Sequence, residues 1–139
     1  MLIQDIIQAI HPLQVIGDID NLQSIDIRHL LTDSRQLGAE PEATLFFALK
    51  TDKNDGAKYI PQLIERGVKV FVVSESEIGN RIADSGTLSI FLIVDSPLAA
   101  LQRLAAYKRS LYHGPVIGIT GSNGKTVVKE WLYQLLKDD

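Results

Sequence analysis

Three short apolar runs constrain what this chain can fold into: Thr44-Leu45-Phe46-Phe47-Ala48-Leu49, Val68-Lys69-Val70-Phe71-Val72-Val73 and Ile90-Phe91-Leu92-Ile93-Val94. They are rich in β-branched and aromatic residues and are bounded by turn residues, as strands are. A strand with one wet face alternates apolar and polar residues; a near-continuous apolar run marks a strand buried on both faces. A sheet covered by helices is therefore expected. Adjacent strand residues face opposite sides, so one of Phe46 and Phe47 can enter the core while the other lines a site or a helix contact; both in the core is the preferred expectation, because a sheet buried on two faces wants both.

The segments between the runs carry helix signals. Asp55 is a candidate N-cap for a helix over 57–66, with Tyr59, Ile60, Leu63 and Ile64 on its apolar face and Gly67 as its stop. Ser96-Pro97 pairs a capping serine with proline at the first helical position and opens a helix over 97–111. Its inner stripe is expected on or near Leu98, Leu101, Leu104, Ala105 and Leu111, and Gly114-Pro115 breaks it. Upstream, Leu2, Ile3, Ile6, Ile7 and Ile10 recur at helical spacing before Pro12, and Leu13 to Ile16 is a short strand candidate before the Gly17-Asp18 turn. A strand near 29–32 is expected to deliver Asp33-Ser34-Arg35 into a loop, and a weak helix is expected over 76–84. Helices alternating with buried strands predict the α/β class.

Composition narrows function by exclusion. The 139 residues are 45% hydrophobic and 22% charged, as in a soluble globular chain. A formal net charge of −3 with no dense basic stripe argues against nucleic acid as partner. The absence of cysteine excludes disulfides and thiolate metal sites, and His11, His29 and His113 lack the spacing of a zinc site. The opening MLIQDIIQAI lacks a basic n-region, and no uncharged apolar run reaches the length of a membrane span. A cytoplasmic location, with no membrane partner, is the expectation.

The segment Ile117-Gly118-Ile119-Thr120-Gly121-Ser122-Asn123-Gly124-Lys125-Thr126 reads as a phosphate-binding loop. It lies between a predicted strand over Val116 to Ile119 and a predicted helix over Lys125 to Leu136. Gly121 and Gly124 permit the tight turn in which the backbone of Thr120 to Gly124 cradles phosphates. Lys125 would reach the β/γ-phosphates of ATP and Thr126 would ligate Mg²⁺. The generic pattern GxxxxGK[ST] is broken at Ile119, where its first glycine belongs. The plainer alternative is an ordinary glycine-containing turn with a surface lysine.

Thr120-Gly121-Ser122-Asn123-Gly124-Lys125-Thr126, with that non-standard opening, resembles the ATP loop of the Mur ligases of peptidoglycan synthesis. Asp33-Ser34-Arg35, Leu45 to Lys50, Asp55-Gly56 and Gly67 to Val73 are similar to that family's N-terminal domain. Leu101 to Ala105 and Lys129-Glu130 suit the branch that joins D-alanyl-D-alanine to a UDP-MurNAc-tripeptide. Thr126 to Trp131 resembles the form of that branch fused to an alanine racemase. The resemblance implies a mixed sheet packed by helices over residues 1–111, a linker over 112–115, and over 116–139 the first strand, P-loop and helix of a truncated Rossmann-like ATPase domain. The central and C-terminal domains are then expected beyond Asp139.

The same resemblance implies an acyl-phosphate mechanism for the complete enzyme, with ATP and Mg²⁺ as cofactors, Lys125 in the catalytic role and Thr126 on the metal. It implies that the N-terminal domain holds the UDP end of UDP-MurNAc-peptide, with Ser34, Arg35, Lys50, Asn54, Asp55 and Gly56 as the contact residues. Each has a plainer alternative: a solvated Ser34-Arg35 turn with Arg35 paired locally, Asp33 merely orienting it or capping the turn, a surface Lys50, and Asp55 as a helix cap. Two positions depart from the family: Ala57 stands where histidine is usual, and Thr51 where glycine is usual. The first removes a polar contact near the nucleotide-sugar; the second implies a loop without a left-handed residue. Two other readings stay open. One is a sister ligase that adds the third peptide residue. The other is a non-catalytic binding or regulatory module with a vestigial loop.

Overall fold

A computed structural model describes residues 1–17, 20, 24–77 and 89–115. The expected strand, phosphate loop and helix of 116–139 lie outside the described residues, as does most of the helix expected over 76–84.

The five strands are β1 (Gln14–Ile16), β2 (His29–Leu31), β3 (Thr44–Phe47), β4 (Val70–Ser74) and β5 (Ile90–Val94). They form one sheet in the order β1-β5-β4-β3-β2. β2 to β5 run parallel to their neighbours, and β1 pairs antiparallel with β5. The sheet is therefore mixed, as expected. α1 (Ile3–Ile10), α2 (Ile60–Glu65) and α3 (Pro97–Ser110) cover it.

The side-chain alternation along each strand divides the core in two. Leu45, Phe47, Val70, Val72, Leu92 and Val94 pack with Ile3, Ile6 and Ile10 of α1 and Ala100 and Leu104 of α3. Phe46, Phe71, Val73, Phe91 and Ile93 pack on the opposite face with Ile60 and Leu63 of α2. Phe46 and Phe47 are both fully buried, one on each side. Parallel register sets Phe46 opposite Phe71, and Phe71 opposite Phe91. The three rings form a row, edge-to-face at 6.2 Å and stacked at 5.4 Å between centroids.

Several boundaries move for local reasons. The helix expected over 57–66 opens as a 3₁₀ turn, Gly56–Tyr59, before α2 begins at Ile60. Gly67 has φ +102, and Val68 donates to the Leu63 carbonyl at 3.0 Å while Gly67 donates to Ile64 at 3.1 Å. That double closure of the helix end occupies Val68, so β4 starts later than the apolar run does. β3 stops at Phe47 because the Leu49 N–H turns back to the Phe47 carbonyl at 3.0 Å.

The inner stripe expected for α3 is corrected. Leu98 and Leu111 are 53% and 54% exposed, and Ala105 is exposed too. Ala100 and Leu104 face the sheet, flanked by Leu101 and Tyr107. These positions recur at helical spacing, whereas Leu98 sits two residues from Ala100 and so points nearly the opposite way.

Candidate functional site at the carboxyl edge of the sheet

Parallel strands deliver their exit loops to one edge, where ligands of open α/β sheets bind. Four such exits lie along this edge: Asp33-Ser34-Arg35 after β2, Ala48 to Gly56 after β3, Ser74 at the end of β4, and Asp95-Ser96 after β5.

After β2, Asp33 caps the 3₁₀ turn Ser34–Gln36, its Oδ1 accepting from the Arg35 N–H at 3.0 Å. The same carboxylate grips the Arg35 guanidinium, Oδ1 from Nε at 3.0 Å and Oδ2 from Nη2 at 2.8 Å. These hydrogen bonds hold the Asp33 carboxyl below the usual carboxylate range. Arg35 remains 87% exposed, so the pair fixes the direction of a cation that still faces solvent. Ser34 is buried, and its carbonyl accepts from Arg66 Nη1 at 3.3 Å.

After β3 the chain makes a tight hairpin. Lys50 bridges Asp55 in antiparallel fashion, and Thr51 and Asn54 exchange backbone hydrogen bonds at 2.7 and 3.3 Å. The Thr51 hydroxyl also accepts from the Asn54 N–H at 3.1 Å. Thr51 thus closes the turn itself, and among the described residues only His11 is a non-glycine with positive φ. Asp55 caps the next turn, accepting from the Ala57 N–H at 3.1 Å. Gly56 is required by close approach: a Cβ there would lie 2.8 Å from the Leu49 carbonyl oxygen. Ala57 is fully buried beside Phe46 and Ile60, so position 57 points into the core rather than toward the hairpin's open side.

After β5, the Ser96 hydroxyl accepts from the Ala99 N–H at 3.2 Å and caps α3. Asp95 accepts from the Ser96 N–H at 2.9 Å, which is the first cause of its lowered pKa, with Arg103 Nη2 a longer contact at 3.5 Å. The same Arg103 donates Nε to the Ile10 carbonyl at 3.1 Å, tying the end of α1 to this rim.

Between the β3 hairpin and the start of α3 lies a cleft of about 390 Å³. Ala48, Leu49, Lys50, Thr51, Asp55, Ser74, Asp95, Ser96, Pro97 and Leu98 line it. It sets one lysine and the positive end of a 14-residue helix beside two carboxylates and several hydroxyls. Each wall carries both a positive and a negative group, Lys50 with Asp55 on the hairpin and the start of α3 with Asp95 opposite, on a lining that also includes Ala48, Leu49, Pro97 and Leu98.

Of the residues expected to meet a nucleotide-sugar, Lys50 and Asp55 line this cleft. Asn54 and Gly56 belong to the same hairpin without lining it; Asn54 Oδ1 accepts from the Tyr59 hydroxyl at 3.4 Å. Ser34 and Arg35 lie at the β2 exit, outside the lining. Thr120, Gly121, Ser122, Asn123, Gly124, Lys125 and Thr126 lie outside the described residues. Sequence reasoning passed over Ser74 and Asp95 and placed Leu98 in the core instead. Their signal was positional, since each closes or closely follows a buried strand run on the carboxyl side.

Known proteins resemble this chain in sequence and in fold. UDP-N-acetylmuramoyl-tripeptide--D-alanyl-D-alanine ligase of Borreliella burgdorferi is 35% identical over 96% of this chain, which spans 29% of that protein's length. UDP-N-acetylmuramoyl-L-alanyl-D-glutamate--2,6-diaminopimelate ligase of Clostridioides difficile is 33% identical over 98% of the chain, which spans 26% of its length. A crystal structure of MurF from Acinetobacter baumannii superposes with a TM-score of 0.72 at 29% identity, covering 98% of this chain and 27% of that one. The profile described as Mur ligase family, catalytic domain, matches residues 26–109. That span exceeds half of the chain and contains β2, β3, β4 and β5, the strands whose exits build the carboxyl edge. By its sequence and by its sheet, the chain belongs to the Mur ligase family.

Proposed function

We propose that residues 1–111 hold the UDP end of a UDP-MurNAc-tripeptide, within an ATP-dependent ligase that joins D-alanyl-D-alanine to it. The observation that carries this reading is the carboxyl edge. Arg35, oriented by Asp33, and the Lys50–Gly56 hairpin leave neighbouring strands of one sheet on the same side. Arginine offers fixed donors to diphosphate oxygens, and the Ser34 turn beside it adds a short polar contact. Lys50, Asn54, Asp55 and Gly56 shape the rim at the exit of the next strand.

Residues 112–115 are read as a linker and 116–139 as the opening of the central ATP-binding domain. There the backbone of Thr120 to Gly124 would hold the phosphates of ATP, Lys125 would supply positive charge to them and Thr126 would be the hydroxyl ligand for Mg²⁺. The metal supplies charge neutralisation on the phosphoryl group. In the whole enzyme the tripeptide carboxylate takes the γ-phosphoryl group of ATP. The amine of D-alanyl-D-alanine then displaces phosphate from that acyl phosphate.

Choice of the incoming amine belongs to the parts of the relatives beyond the matched length. The 33% identity to the diaminopimelate-adding ligase supports the sister reading as the alternative. Calorimetric titration tests the UDP claim. UDP-MurNAc-tripeptide is expected to bind and the same MurNAc-tripeptide without UDP is not; equal affinity for the two would overturn it.

A further inference from the structure

The connection between β2 and β3 contains no α-helix among its described residues, only the 3₁₀ turns Ser34–Gln36 and Pro41–Ala43. Asp33 and Arg35 hold each other, which shapes the first turn but does not tie it to the sheet. Burial of Ser34 and packing of Leu37 on the core seat the turn, and the end of α2 ties its backbone, Arg66 Nη1 donating to the Ser34 carbonyl at 3.3 Å across 32 residues of sequence. Next to it, the Cα of Gly67 lies against the Pro41 ring, so close that an added Cβ would come within 3.1 Å of the proline Cγ. One helix end therefore touches both turns of the connection, and the Schellman-type closure at Gly67 and Val68 fixes where that end lies.

We propose that Arg66 is a positioning residue: it sets the Ser34-Arg35 turn against the sheet so that Arg35 meets the UDP end of the ligand. This rests on the function proposed above. The Arg66 side chain meets the proposed contact set through its hydrogen bond to the Ser34 carbonyl, and that exposed side chain can be truncated without opening the core.

The test combines calorimetric titration of UDP-MurNAc-tripeptide with amide exchange in Arg66→Ala, Arg66→Lys, Arg35→Ala and the double alanine variant. The backbone reporter is the Gln36 N–H, which donates to the Asp33 carbonyl at 3.0 Å and closes the turn. Arg66→Ala is expected to speed Gln36 exchange and weaken binding about fivefold, the scale of one ordinary hydrogen bond lost outside the ligand contact. Arg66→Lys is expected to recover part of both, and Arg66→Ala to add little once Arg35 is gone. Unchanged Gln36 exchange in Arg66→Ala, or equal weakening with and without Arg35, would overturn the positioning role. If Arg35→Ala alone left affinity unchanged while Arg66→Ala still loosened Gln36, the binding reading would fail and the structural tie would stand.

Discussion

Arg35 Nη2 lies 2.8 Å from Oδ2 of Asp33, and Nε lies 3.0 Å from Oδ1. The grip takes one side of the guanidinium fork and leaves the Nη1 donors outside the pair. Asp33→Ala is therefore expected to weaken UDP-MurNAc-tripeptide binding less than Arg35→Ala does, because the cation survives and only its orientation is lost. Titration of both variants measures the order.

The same pair predicts a pH profile. The Asp33 pKa is lowered from 3.8 by the Arg35 hydrogen bonds, so its folded value lies below its unfolded one. The pair's contribution is present above the ordinary aspartate range and is lost as pH falls through the depressed value. Between about pH 8 and about pH 5 the Asp33 and Arg35 side-chain signals should hold steady, with titration starting only below the ordinary aspartate pKa. Following the Asp33 carboxyl carbon by NMR checks the direction; a midpoint above 3.8 would contradict it.

The hairpin after β3 depends on one missing methyl group. Gly56→Ala would set a Cβ 2.8 Å from one backbone atom of Leu49 and 3.0 Å from another. Backbone cannot swing aside as a side-chain tip does, so a loss of about 1–3 kcal/mol is expected in denaturant unfolding. Gly38→Ala is the control: nothing lies within 4 Å of its Cβ position, and its stability should change by less than about 0.5 kcal/mol.

Phe71 links the three-ring row by touching both Phe46 and Phe91. Phe71→Ala should cost about 3–5 kcal/mol, and Ser96→Ala about 1 kcal/mol through loss of the α3 cap. Chemical denaturation of the two variants would compare them.

The chain spans 29% of the Borreliella ligase, and we expect no turnover from it alone. Incubation with ATP, Mg²⁺, UDP-MurNAc-tripeptide and D-alanyl-D-alanine should release no phosphate above background. Sustained release would show that the parts needed for chemistry are present.

The strands were the most legible part of the sequence. β3, β4 and β5 announce themselves because both of their faces are buried, which leaves polar residues only at strand ends such as Thr44 and Ser74. Ser96-Pro97 and Gly67 were equally plain, since capping chemistry is local. Pairing was not legible: no residue of Gln14–Ile16 says that β1 lies antiparallel beside β5, because strand order is decided by tertiary packing. The α3 stripe misled for a related reason. Leucine at 98 outweighs alanine at 100 by hydrophobicity, but close approach of helix to sheet puts the small Ala100 inward and turns Leu98 to the cleft rim. At the site, Asp55 as a cap and Asp33 as both cap and orienter were among the alternatives weighed from sequence. The cleft wall from β5 was not, because its residues meet the β3 hairpin only once the sheet is assembled.

The central claim is that the carboxyl edge of this sheet holds the UDP end of a cell-wall precursor. Calorimetric titration of the chain with UDP-MurNAc-tripeptide, repeated for Arg35→Ala, tests it most directly. The account predicts saturable binding at one site per chain and a loss of about tenfold or more in the variant, the scale of a charge-assisted bidentate contact. Absence of binding, or an affinity that Arg35→Ala leaves unchanged, would contradict it.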